Sequence, residues 1–430
     1  MKISDFQKWL RQGLGRAAAY IRNEDPAQYR DALLHACTHN LCYDRQCEET
    51  RGQYLADLVQ LSADKKFFRD GVLTALTSQS EEFGPGDVMQ MFGVARNWAA
   101  EGDEMVRQTL YDVFARDAFG RAEMWCGHYL VKMEGLDALL FVVQLFGRIE
   151  ESDRLWQFEM LVTELEERDG KEAAAEALAT AAAGRPDLAQ LLEMLRAVES
   201  RRTQARQEWC AMPRRDYASV KRGIMGQERR VNSLMNWGKE ATAEELQSAA
   251  EDSLSESDEK RLLDYLSIFK RRRFPGPHKR LIELAKYGSW RLSHAAVNAL
   301  THIDDPSLRT LGLELMSTPD RCDLGVTLLT ARSQPGDYQL IEQALRQPMS
   351  DHVYHSVGMD VLGFVKANLN GEAEASLTLL YENGPCSMCR ESCVKHLIAL
   401  NRLPEWMRQE CRYDADSDTR ELVAARTEPG

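Results

Sequence analysis

Two groups of histidine and cysteine have the residue types and spacing of metal donors. The first is His35, His39 and Cys42, with Cys47 five residues beyond. On a helix turning about 100° per residue, these three fall within about 60° of one face. Imidazole nitrogen and thiolate sulfur are the donors zinc prefers. The spacing matches no zinc motif, and Leu33, Leu34 and Leu41 mark the same segment as partly buried. The second group is Cys386, Cys389, Cys393 and His396. With a helix opened by Pro385, all four lie within about 80°. Side chains that all point one way surround a tetrahedral ion poorly, and Leu397 and Leu400 share their face. Cysteine is also a common small core residue. Packing is therefore the favoured reading of both groups, and no metal or other cofactor is expected.

Nothing in the chain reads as a catalytic motif. There is no nucleophile elbow, P-loop or dinucleotide fingerprint. Gly13-Leu14-Gly15 and Gly84-Pro85-Gly86 are too short for phosphate loops, and neither follows a predicted strand. The expectation is a protein that is not an enzyme.

Anion recognition is the remaining chemistry. The chain has 430 residues and a net charge of −13, which argues against a surface built wholly for nucleic acid. That charge is uneven: residues 1–195 carry −12, 196–280 carry +6, and 281–430 carry −7. The middle segment holds Arg201, Arg202, Arg206, Arg214, Arg215, Arg229 and Arg230, then Arg271, Arg272, Arg273, Lys279 and Arg280. An acidic stretch, Glu240 to Glu259, lies between. These blocks form a speculative anion or partner patch. Trp209, Tyr217, Trp237 and Phe274 are interleaved with them, as base stacking would require. The competing reading is a solvated connector whose basic blocks pair with their own acidic neighbours.

The elements that must position these residues are helices. Leu155, Phe158, Leu161, Val162 and Leu165 follow the i, i+3, i+4, i+7 spacing of a buried stripe, and Leu188, Leu191, Leu192 and Leu195 do the same. Alternating β-branched runs are missing, so no strands are expected. Helices of about 10–16 residues are punctuated by Gly, Pro, Asp and Asn. Pro275-Gly276-Pro277 marks a hinge or connector outside any helix. Thr242 with Glu245, and Ser255 with Asp258, read as capping-box starts of two short helices.

The C-terminal part repeats. Helix pairs restart near Leu281, Leu308, Leu340, Leu377 and Gln409, roughly every 30 residues. Most second helices carry an Arg followed four residues on by a small or branched residue, as in Arg291 and Ala295, Arg321 and Gly325, and Arg390 and Val394. Small residues let helices approach, and the Arg can bridge to an acid or a helix end of the next repeat. The unit Ser289-Trp290-Arg291-Leu292-Ser293-His294-Ala295-Ala296-Val297-Asn298-Ala299-Leu300, closed by Asp305-Pro306, resembles the HEAT-repeat family, in particular its short phycobilin-lyase-like repeats. Gly102-Asp103-Glu104-Met105-Val106-Arg107 is a second echo. The resemblance covers residues 280–430 best and 60–200 in part. It implies a curved α-solenoid whose concave face binds a partner, and no chemistry by itself.

The fold expected is all-α: stacked antiparallel helix pairs, in two arrays joined by a basic connector. The divisions are 1–195, 196–280 and 281–430. The N-terminus lacks a signal-peptide core, and no stretch suits a membrane span. Ten cysteines fall below disulfide-scaffold density, so a cytoplasmic protein is expected. The function expected is a protein-interaction or scaffold module with a protein partner. The alternative is a nucleic-acid-binding solenoid, with a HEAT-like DNA-repair glycosylase as its enzymatic form, working through 196–280.

Overall fold

A computed structural model describes residues 2–45, 47–48, 50–78, 82–117, 124–148, 150–211, 214–226 and 231–425. The chain is an all-α solenoid, with no strand among the described residues. In chain order the helices are α1 (Ile3–Gln12), α2 (Arg16–Asn23), α3 (Pro26–Thr38), α4 (Gly52–Leu61), α5 (Lys65–Thr77), α6 (Pro85–Ala100), α7 (Glu104–Asp117), α8 (Met124–Glu134), α9 (Leu136–Gln144), α10 (Glu151–Asp169), α11 (Lys171–Ala182) and α12 (Pro186–Ala211). They continue as α13 (Tyr217–Met225), α14 (Val231–Glu240), α15 (Ala243–Ser255), α16 (Glu259–Ser267), α17 (Lys279–Tyr287), α18 (Trp290–Leu300), α19 (Ser307–Met316), α20 (Cys322–Thr330), α21 (Asp337–Leu345), α22 (Asp351–Ala367), α23 (Ala373–Asn383) and α24 (Ser387–Ala399). The last two are α25 (Glu405–Cys411) and α26 (Ser417–Ala424).

The helices form two compact units. The first comprises 1–211, 386–388 and 404–430; the second comprises 212–385 and 389–403. Within the first, α2, α4, α6, α8, α10 and α12 pack in succession as one row, and α1, α3, α5 and α7 form the other. Within the second, α14, α16, α18, α20 and α22 make one row. Consecutive helices also pair, as α17 does with α18 and α19 with α20. The apolar stripes read from the sequence face these cores: Phe158, Leu161, Leu165 and Leu188 are buried in the first unit, and Leu281, Val297, Leu300 and Leu308 in the second. Each such side chain contributes about 1.5–3 kcal/mol through removal from water.

Local chemistry sets the helix ends. Asp25 caps α3 by accepting from the Ala27 N–H at 2.8 Å, with Pro26 in the first turn. Thr242 and Glu245 close the expected capping box on α15 at 3.3 and 2.9 Å. At the second expected start, Ser255 is instead the last residue of α15 and Asp258 caps α16. Pro275-Gly276-Pro277 lies between helices. Gly325 lets α19 and α20 touch, since a Cβ there would sit 2.5 Å from the Met316 nitrogen. α12 has 26 residues, longer than expected. Leu188, Leu191 and Leu195 in its first half are buried, and residues 199–209 stand in solvent.

Arginines do bridge to helix ends, but of the previous repeat rather than the next one. In the second unit, Arg321 donates to the carbonyls of Ala285 (2.8 Å) and Gly288 (3.1 Å) at the end of α17, and to Ser293 Oγ. Arg332 reaches the carbonyls of Leu300 (3.2 Å), Thr301 and Ile303 beyond α18. Arg280 does the same for Ser253, Leu254 and Glu256 at the end of α15. In the first unit, Arg51 donates to the carbonyls of Leu10 (3.0 Å) and Arg11 at the end of α1. A helix end leaves its last carbonyls without partners, and a cation there satisfies both their hydrogen bonds and the dipole. Arg291, which opens the best-matching repeat, is exposed. Among the described residues, no helix is long and apolar enough to cross a membrane.

Replacing Arg321 with Met is expected to lower stability by about 2–3 kcal/mol, because buried carbonyls lose charged donors. Arg291→Ala is expected to stay within about 0.5 kcal/mol, as an exposed substitution should. Urea denaturation of the full chain, followed by far-UV circular dichroism, measures both.

Candidate functional site

The sequence-nominated residues disperse. α3 ends at Thr38, so the helical face that would gather His35, His39 and Cys42 stops short. His39 instead lies at the helix end, where its Nδ1 sits 3.1 Å from the His35 carbonyl and 2.9 Å from Thr38 Oγ1. Its ring lies 4.0 Å from that of His35. Cys42 is buried among the charges of Glu48 and Arg51, and burial pushes its thiol up to about 11. Among the described residues these three do not form a metal-sized group. Cys386 precedes the first residue of α24. Cys393, in that helix, is fully buried, which pushes its thiol up to about 12. Burial lowers the His396 pKa, with Lys366 adding to the effect. Cys389 finds a partner that sequence spacing does not show: its Sγ lies 3.7 Å from His355 Nδ1 on α22.

The basic patch is similarly divided. Arg201, Arg202 and Arg206 lie on the exposed half of α12 in the first unit, where Arg202 pairs with Glu159. Arg214 belongs to the second unit and holds Glu245 at 2.8 Å, and Lys221 holds Asp252 at 2.7 Å. Arg215 presents its backbone carbonyl to Trp237 Nε1 at 2.7 Å. Arg280 is committed to the end of α15. Arg271, Arg272, Arg273 and Lys279 are exposed. Arg229 and Arg230 lie outside the described residues. Three of the four interleaved aromatics serve the fold: Trp237 and Phe274 are buried, and Tyr217 donates to Asp252 at 2.5 Å. Trp209 is exposed.

A polar cluster that sequence reading does not single out forms on α18, α20 and α22, three consecutive helices of one row in the second unit. Its centre is Asp323, whose side chain is 8% exposed. His294 Nε2 lies 3.2 Å from Asp323 Oδ2, and Ser356 Oγ donates to the same oxygen at 2.9 Å. Burial opposes charge on Asp323, yet the close approach of His294 and the hydrogen bonds of Ser356 and the Leu324 N–H hold its carboxyl below the usual range. Asp360, on α22, responds in the opposite way. Burial pushes it up to about 6, against a hydrogen bond from Thr327, and the Asp323 charge adds to the rise. The Trp290 ring lies 4.6 Å from that of His294. Trp290 is 62% exposed, Tyr287 81% and Met359 54%.

This arrangement lacks the geometry of an activated serine. Ser356 donates to the carboxylate rather than to the imidazole, and a carboxyl held below its usual range is a weak base for its proton. What it offers is two carboxylates on adjacent helices, with the exposed Trp290 packed on the His294 that faces one of them, a setting that suits a cation.

Ionised Asp360 opposes folding. Its carboxyl moves from 3.8 to about 6, so the folded chain binds the extra proton between those values. Stability from this group is full below 3.8 and is lost as pH rises through about 6, a loss of roughly 3 kcal/mol. Asp360→Asn is therefore expected to stabilise the chain at pH 8 and to be near neutral at pH 3.5. Denaturation midpoints at the two pH values measure the difference.

No family model matches the chain, and no curated protein or solved structure matches it, so the functional reading rests on these residues.

Proposed function

We propose that the chain is a non-catalytic, HEAT-like α-solenoid acting as a protein-interaction or scaffold module. Its second unit takes a lysine- or arginine-bearing segment of a partner protein on the α18–α20–α22 face. One observation carries the reading: the exposed Trp290 packs on His294, which lies 3.2 Å from Asp323, and Asp360 on the next helix feels the charges of both Asp323 and His294. A cation brought to Asp360 relieves the cost of ionising it, and the exposed Trp290 supplies an aromatic face for a guanidinium or ammonium. The repeat pattern supports the same reading, because stacked helix pairs offer extended binding surfaces. The low cysteine density supports a cytoplasmic setting. The second reading, nucleic-acid binding, draws on Arg271, Arg272 and Arg273, which stand exposed together.

Selection of random peptides on the full-length protein tests the proposal. Enriched peptides are expected to carry Lys or Arg, and their affinity is expected to fall at least roughly ten-fold in Trp290→Ala and Asp360→Asn. Enrichment of neutral or acidic peptides contradicts the proposal. Unchanged affinity in both variants also contradicts it, as does tight, salt-sensitive binding to RNA or DNA with no peptide enrichment.

A further inference from the structure

The first unit contains a cavity of about 360 Å³ that none of the residues nominated from the sequence explains. It opens along the row formed by α4, α6 and α8. Thr50, Gln53, Arg96, Tyr129, Lys132 and Ser417 are among its walls. The volume is that of a small-molecule site.

Its position follows from one close approach. A Cβ on Gly52 would sit 2.3 Å from the Gly93 carbonyl carbon, so the start of α4 lies directly on the backbone of α6. That approach sets Thr50 and the first turn of α4 beside Arg96, which is one turn beyond Gly93. Thr50 Oγ1 and Tyr129 Oη share a hydrogen bond of 2.5 Å. The Arg96 guanidinium lies over the Tyr129 ring, 5.8 Å from its centroid.

The charges in and around the cavity are unequally committed. Glu48 is held by Arg51 at 2.8 Å and by the Ser387 N–H and Oγ at 3.1 and 2.7 Å. Asp416 accepts from Thr419 at 2.7 Å through both its N–H and its hydroxyl. The acids on the walls are therefore occupied. Among the described residues, by contrast, no carboxylate reaches ion-pair distance of Arg96. Lys132 lies 3.4 Å from Glu164, whose carboxyl is raised by burial. The Arg51 side chain is 4% exposed, and its Nε–H has no acceptor.

The backbone adds donors of the same sign. α4 has no side-chain cap and no acid in its first turn. The amides of Gly52 and Gln53 find no acceptor among the described residues. An uncapped helix start presents N–H groups and the positive end of the dipole. A guanidinium, an ammonium, two hydroxyls and free amides thus converge on one polar cavity.

We infer that this cavity is a binding site for the phosphate group of a small phosphomonoester. Arg96 is the principal charged donor, with Lys132, the Thr50 and Tyr129 hydroxyls and the α4 amides completing the cradle. Inorganic phosphate presents the same oxyanion, and the remaining volume admits a small organic substituent. The inference is independent of the second unit's surface.

Isothermal titration of the full-length protein with inorganic phosphate, phenyl phosphate and succinate tests it. Phenyl phosphate is expected to bind saturably and more tightly than inorganic phosphate, and succinate more weakly than either. Arg96→Gln is expected to weaken phenyl phosphate at least roughly ten-fold, with Arg96→Lys retaining part of the affinity. Tyr129→Phe keeps the ring and is expected to show a smaller loss. Arg291→Ala, in the second unit, is expected to bind as the parent does. Because Arg96 makes no ion pair among the described residues, both its variants should keep the parent's circular dichroism, so a loss of binding reads on the site. Absence of saturable phosphate binding overturns the inference. So does succinate binding as tightly as the phosphates, or an Arg96→Gln variant with unchanged affinity.

Discussion

An arginine on the open carbonyl end of a helix in the preceding repeat is the contact on which the stacking depends. Helix pairs can be packed by apolar stripes alone, but every pair also places helix ends against its neighbour. Each end carries carbonyl groups that burial leaves without water. Arg280, Arg321 and Arg332 answer this need in the second unit, and Arg51 in the first. The guanidinium suits the task because its five N–H donors are fixed in a plane and its charge is permanent. Several carbonyls are then held by one side chain.

That arrangement bears on the acidity of the chain. An arginine committed to backbone carbonyls has fewer donors left for a carboxylate, although Arg51 serves both, holding Glu48 as well as the end of α1. Several carboxylates are instead satisfied by hydroxyls and backbone amides, as Asp323 is by Ser356 and the Leu324 N–H. The result is a face with exposed aromatics and incompletely neutralised acid. The basic segment shows the complementary behaviour. Arg214 and Lys221 are spent on Glu245 and Asp252, and Trp237 and Phe274 are spent on the core. Arg96, which lines a cavity and meets no carboxylate at ion-pair distance among the described residues, lies in a segment whose net charge is strongly negative. Net charge by segment therefore locates neither surface.

The helical class was legible because apolar spacing at Phe158, Leu161 and Leu165 has only one burial geometry. The repeat spacing was legible too: helices begin at Lys279, Ser307, Asp337, Ala373 and Glu405, close to the restarts read from leucines. Thr242 with Glu245 announced a helix start because a capping box is local chemistry. The cluster was not legible. His294, Asp323, Ser356 and Asp360 come from three helices, and each alone looks like an ordinary polar residue in a repeat. Their meaning depends on which turn of each helix faces the next, which small residues such as Gly325 decide. His35, His39 and Cys42 do not share a helix face for a simpler reason: α3 ends at Thr38, and helical spacing has no force beyond a helix end.

The central claim is that the α18–α20–α22 face holds a carboxylate kept partly protonated until a cation arrives. Carbon-13 NMR titration of the Asp360 carboxyl, with and without a saturating arginine-bearing peptide selected on the protein, measures this directly. The account predicts a midpoint near 6 in the free chain and a clear fall when the peptide is bound. A midpoint in the ordinary aspartate range in the free chain, or one unmoved by the peptide, would contradict it.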